Sequence, residues 1–106
     1  VVEQAVIASV RKYLAVLESF GIDAGRAVLF GSLAAGKGDE YSDIDLIVIA
    51  PQFDAPRDVS LVKSLWRATA GDSRIEPIPC GEMEWETNHA RPILEIARRE
   101  GVVIAA

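Results

Sequence analysis

Residues 28–50 read VLFGSLAAGKGDEYSDIDLIVIA. Two short apolar runs, at 27–30 and 44–50, flank a polar connection over 31–42 that holds Gly31, Gly36 and Gly38. Each run has the length and the boundaries of a buried strand. The connection has room for one turn of helix at most. Alternate side chains of a strand share a face, so Asp43 and Asp45 point the same way with Cα atoms about 7 Å apart. Ile44, Leu46 and Val48 take the opposite face, towards the core. Solvated acids at strand mouths are common, so a bare D-x-D says little by itself. Convergence changes the balance. Two carboxylates about 4 Å apart repel by about 4 kcal/mol at an effective dielectric near 20. That is a large share of the roughly 5–15 kcal/mol that holds a domain together. A converged pair calls for a proton or a cation, and magnesium commonly joins one or two carboxylates to phosphates.

The connection supplies the other half of a phosphate site. Gly31 ends the first strand and lets backbone N–H groups approach an anion closely. Ser32 adds a hydroxyl donor. Taken alone, Gly31-Ser32 is a plain turn. The run 31–38, GSLAAGKG, nearly fits the P-loop pattern but fails twice. Gly38 stands where a Ser or Thr should bind magnesium, and the GDEYSD that follows leads into a strand rather than a helix.

Outward from this stretch, helices alternate with short strands. Val6, Val10, Leu14 and Leu17 recur at helical spacing over residues 3–20, and Gly21 can supply a left-handed stop. Asp58 can N-cap a helix over 59–70 with a stripe of Val62, Leu65, Trp66 and Thr69, ended by Gly71. Trp66 is therefore expected in the core. Residues 74–79 form a third strand. Pro77 and Pro79 lack N–H donors on one edge, which makes this an edge strand whose other side is free to pair with the strand of the two acids. Glu76 then sits beside them if it shares their face; the bland alternative is a surface pair with Arg74. The segment GEMEWETNH is polar, so Trp85 is less clearly a core residue than Trp66 and is a candidate partner contact. Pro92 opens a last helix with Ile93, Ile96 and Ala97 inward, Arg98 and Arg99 favouring its C-terminal dipole and Gly101 ending it. Residues 102–104 add a final strand. The order implies an α/β (α+β) fold, a two-layer sandwich with a small mixed sheet of three to four strands packed against helices.

At 106 residues the chain is one domain, residues 1–106. Half of its residues are hydrophobic and a quarter charged, the composition of a folded globule. No apolar run approaches the roughly 20 residues of a membrane span, so no membrane association is expected. No leader pattern opens the chain and Cys80 is its only cysteine, which points to a reducing cytoplasm. The net charge of −5 and the lack of a basic stripe argue against direct nucleic-acid binding. An anionic substrate must then be bridged by metal. His89, the lone histidine, reads as a surface residue.

The stretch as a whole resembles the DNA polymerase beta-like nucleotidyltransferase superfamily. Gly31-Ser32, ten residues, then Asp43-x-Asp45 is similar to its signature. The longer GSLAAGKGDEYSDIDLIV looks like the minimal nucleotidyltransferase branch, where SDIDL is a frequent core. The resemblance implies that Gly31 and Ser32 hold the triphosphate of ATP or another nucleoside triphosphate, with Asp43 and Asp45 ligating two magnesium ions. Two departures stand out. Leu33 and Ala35 occupy places where relatives often carry arginine, leaving Lys37 as the loop cation. The third carboxylate falls to Glu76, where relatives usually have Asp. Small domains of this branch resemble antitoxins that transfer AMP to a helical HEPN-type toxin, so a protein acceptor is implied. A homo-oligomer is compatible with the sequence. The alternative is a catalytically idle module that neutralises a partner by contact alone.

Overall fold

The computed structural model describes residues 2–56 and 58–106. In chain order it contains α1 (Gln4–Ser19), β1 (Arg26–Phe30), β2 (Ile44–Ile49), α2 (Val59–Arg67), β3 (Ile75–Cys80), α3 (Glu82–Thr87), α4 (Pro92–Glu100) and β4 (Val102–Ala105). Short 3-10 turns cover Pro51–Phe53 and Ala68–Gly71. The strands form one mixed sheet in the order β3-β2-β1-β4. β1 runs antiparallel to both β2 and β4, while β2 and β3 are parallel. Parallel neighbours need a crossover, and α2 provides it.

Helices cover both faces of the sheet rather than the one face of a two-layer sandwich. On one face, Val10, Leu14 and Leu17 of α1 and Leu65 of α2 pack with Leu29, Ile44, Leu46, Val48 and Ile75. On the other, Leu94 and Ala97 of α4 pack with Val28, Ile47, Ile49 and Cys80. β2 is thus buried on both sides, which is why its sequence is apolar without alternation after Asp45. β3 is an edge strand, as its prolines require.

Chain ends of the helices follow local chemistry in two places. Gly21, with φ +83°, closes α1: Gly21 N–H donates to Glu18 O at 3.0 Å and Ile22 N–H to Leu17 O at 3.0 Å. Asp58 caps α2 by accepting from Ser60 N–H at 2.7 Å.

Other details differ from the sequence-based expectation. The inward stripe is Leu61 and Leu65 of α2 with Ala68 of the turn that follows, and Trp66 faces out at 51% exposure, together with Val59 and Val62. Leu65 is inward as expected, but its companions in the core are Leu61 and Ala68 rather than Val62 and Trp66, because both rows have apolar spacing and only the tertiary neighbours distinguish them. In α4 Ala97 is buried and Ile93 packs partly against the same cluster, as expected, but Leu94 is the main inward residue and Ile96 lies at the surface. The segment GEMEWETNH contains a helix, α3. Its free N–H groups at Met83 and Glu84 are taken by the Asp54 carboxylate at 2.9 and 3.1 Å, and Gly81 N–H donates to Glu84 Oε1 at 3.1 Å. Its C-terminal end is held by Arg98, which donates to Trp85 O at 2.6 Å and Asn88 O at 2.8 Å. Arg98 therefore serves the carbonyls of a neighbouring helix. Its guanidinium also lies 4.6 Å from the Trp85 ring centroid, so that ring is half-covered.

Candidate active site

The two acids stand where β2 emerges from the glycine loop. Ile44 anchors the strand: its side chain is buried and its N–H donates to Arg74 O at 2.8 Å. Asp45 pairs across the sheet with Phe30 at the end of β1 and with Glu76 near the start of β3. Residues paired in this way share a face, so Asp45 and Glu76 project to the α4 side, at the end of the sheet away from its apolar centre.

Gly31 follows Phe30 directly and lies against Asp45. Its φ of +81° is one that side-chain-bearing residues rarely adopt. A Cβ there would also stand 2.6 Å from Asp45 Oδ2. Backbone strain and close approach therefore both require glycine. Beyond it the loop makes a single irregular turn, with Ala35 N–H donating to Gly31 O at 3.2 Å and Lys37 N–H to Ser32 O at 2.9 Å. Leu33 is buried in the α1-side core and fixes the turn to the body of the protein. A second turn over 39–42 delivers the chain to Asp43. There Asp39 N–H donates to Ser42 Oγ at 2.9 Å and Tyr41 N–H to Asp39 Oδ1 at 2.9 Å.

Arg74 holds this second turn. Its Nη1 donates to Glu40 O at 3.2 Å, while Nε and Nη2 grip Asp72 at 3.0 and 2.7 Å. The surface pair of Arg74 with Glu76 does not form. The D-x-R spacing of Asp72 and Arg74 is the sequence signal for the pair that forms instead. The bond from Arg74 lowers the pKa of the Asp72 carboxyl.

The electrostatics set Asp45 apart. Burial raises its pKa first, and the neighbouring charge of Asp43 raises it further. The structure thus brings Asp43 and Asp45 into mutual influence. Glu76 is next to Asp45 along the sheet and is exposed, and its side chain makes no hydrogen bond or ion pair among the described residues. Among those residues no three His, Cys, Asp or Glu side chains gather closely enough to hold a metal ion. The three carboxylates therefore do not form a closed cluster as they stand. The pair alone suits a hard cation: both donors are carboxylate oxygens, and their charges oppose each other. Ser32 and Lys37 are exposed on the loop.

The other candidates are placed away from the acids. A cleft of about 620 Å³ lies under the loop between Glu3, Val6, Leu33, Gly38 and Arg74, and none of Asp43, Asp45 and Glu76 lines it. His89 is exposed, with Nδ1 2.7 Å from Glu95 Oε1. Cys80 is buried, which pushes its thiol up to about 12 and removes it from nucleophilic chemistry.

The sequence model of the nucleotidyltransferase domain family matches residues 10–100. The chain belongs to that family. No curated protein matches it. The matched span of this nucleotidyltransferase domain runs from the middle of α1 to the end of α4, and so includes the glycine loop and all three acids. Its general chemistry is nucleotidyl transfer, and the small α+β architecture with a four-stranded mixed sheet is that of a nucleotidyltransferase fold. β4 lies outside the matched residues. Among the described residues, no helix is long and apolar enough to cross a membrane.

Proposed function

We propose that this nucleotidyltransferase domain transfers a nucleoside monophosphate, AMP from ATP, to an acceptor hydroxyl on a partner protein, as the antitoxin of a pair with a HEPN-type toxin. The observation that carries the transferase reading is the coupled pair Asp43 and Asp45 with the Gly31 backbone pressed against the Asp45 carboxylate. Two like charges and an open backbone meet at one point, which is costly unless a cation and an anion complete it. Magnesium ions held by Asp43 and Asp45 would neutralise the pair and supply Lewis-acid stabilisation of phosphoryl charge. The residues of the chain do the rest. Gly31 and Ser32 offer backbone and hydroxyl donors to the triphosphate, and Lys37 adds the cation of the loop. The acceptor oxygen forms its bond to the α-phosphorus, the bond to pyrophosphate breaks, and Glu76 takes the acceptor proton. The exposed carboxylate of Glu76, paired with no cation among the described residues, suits that role. AMP, the protein acceptor and the HEPN-type partner rest on the resemblance of the sequence.

Isothermal calorimetry tests the core of this reading. ATP binds in the presence of magnesium and fails to bind in EDTA. Equal affinity in both conditions would remove the metal bridge. One observation favours the idle module instead: Leu33, which stands where relatives often carry a loop arginine, is a core residue that cannot meet a phosphate. Incubation with labelled ATP, magnesium and the product of the neighbouring gene separates the two readings, since only the transferase labels that partner.

A further inference from the structure

The two edges of the sheet are built differently. On β3, backbone bonds to β2 run through Arg74 O and Cys80 O, which accept from Ile44 and Ala50 at 2.8 and 3.1 Å. In a parallel ladder, alternate residues face the neighbour, so residues 74, 76, 78 and 80 face β2 and the nitrogens of Pro77 and Pro79 face outward. That edge presents two positions with no N–H and cannot accept a further strand in register.

β4 is the opposite case. Ala106 N–H donates to Gly25 O at 3.0 Å, and the register pairs Ile104 with Ala27 and Val102 with Leu29. Antiparallel pairing alternates, so residues 102, 104 and 106 turn their backbone groups to β1, while Val103 and Ala105 turn theirs outward. Val103 N–H and C=O and Ala105 N–H have no partner among the described residues. Ala105 O accepts from Arg11 Nε at 3.1 Å, and a carbonyl has a second lone pair. The strand reads VVIA and carries no charge, proline or bulge of its own; among the described residues the Arg11 guanidinium is the one charge that reaches it. Val103 is 57% exposed and Ala105 is exposed.

We propose that β4 is the seam of a homodimer, in which two copies of this chain pair their β4 strands antiparallel about a two-fold axis. The axis passes beside Ile104, which faces its own copy. Val103 N–H then donates to Ala105 O of the second copy and Ala105 N–H to Val103 O, and symmetry repeats both bonds. Self-pairing follows from the geometry because the outward donors and acceptors are separated by one inward-facing residue, so the edge is complementary to itself when reversed. On the α4 face the Val103 side chain gains an apolar neighbour, Ala105 of the other copy. The joined sheet ends on both sides at Pro77 and Pro79, so growth stops at two. The acids stand at β2, away from the seam, and each copy keeps its own site.

Sedimentation equilibrium over a concentration series tests the proposal on the full chain. The expected result is a monomer–dimer equilibrium with no larger species. Val103→Pro removes an outward N–H that no β1–β4 bond uses, so it should give a monomer at every concentration with the melting temperature that the wild type shows at dilutions where it is monomeric. Should that variant melt early, Val103→Lys decides, since it keeps the N–H and places a charge against the second copy; it should weaken the dimer at least tenfold. A wild-type chain that stays monomeric overturns the proposal. So does a dimer that neither a well-folded Val103→Pro nor Val103→Lys disturbs, or one that Trp66→Ala abolishes, which would move the contact to α2. Assembly beyond the dimer would overturn the closing role assigned to the prolines.

Discussion

At the scale of single residues, two aspartates respond to pH in opposite ways. Asp72 is gripped by Arg74, and its carboxyl pKa lies below the ordinary value. The stability it contributes is present above the unfolded carboxyl value of about 3.9 and is lost as pH falls through the lower folded value. Asp45 is the reverse: burial and then Asp43 push it up. Its favourable contribution is present below the unfolded value and is lost as pH rises through the raised folded value. Ionised Asp45 therefore weakens the fold at neutral pH. Thermal melts in EDTA should show Asp72→Asn melting below wild type and Asp45→Asn at or above it at neutral pH. Solvent screening keeps the Asp45→Asn gain under the ~4–8 °C that 1 kcal/mol is worth in a domain of this size. Both differences should close in acid. An Asp45→Asn variant that melts well below wild type would mark the residue as structural.

At the scale of elements, α2 offers the sharpest contrast between adjacent positions. Leu65 is fully buried and its carbonyl accepts from Tyr13 O–H at 2.8 Å, whereas Trp66 faces out. Leu65→Ala should cost about 2–5 kcal/mol in urea denaturation. Trp66→Ala should stay within about 0.5 kcal/mol despite losing the larger side chain. Equal losses would restore the inward tryptophan that helical spacing alone suggests. That spacing failed here for a physical reason: Val59, Val62 and Trp66 repeat as regularly as Leu61, Leu65 and Ala68, and nothing local says which row meets the sheet. β2 was legible because double burial writes itself as an unbroken apolar run. Asp43 and Asp45 were legible because acids at the head of such a run conflict with it. The edge position of β3 followed from two missing donors. α3 was not legible, since its N-terminal donors are satisfied by Asp54, 29 residues earlier in the chain for Met83, and its C-terminal carbonyls by Arg98 from α4. A six-residue helix of that kind is held by neighbours rather than by its own sequence. The position of Glu76 was legible to the level of its strand partner, but its side-chain distance from the pair depends on charges that a sequence pattern does not weigh.

At the scale of the whole molecule, the two hydrophobic clusters sit on opposite faces of one sheet, and the smaller holds the only thiol. Cys80 ends β3 and packs against α4, has no exposed surface, and its thiol pKa is pushed up to about 12 by burial. A thiol-reactive probe can reach it only when that cluster opens. Under native conditions its modification should be at least about a thousandfold slower than in urea, in proportion to the small open population. Rapid modification of the native chain would mean that the α4 side of the sheet opens independently of the α1 side. The chain carries, in that one sulfur, its own clock for opening: a cysteine introduced on the surface for a fluorophore would be labelled selectively, with the native thiol left in place as a silent reporter of unfolding.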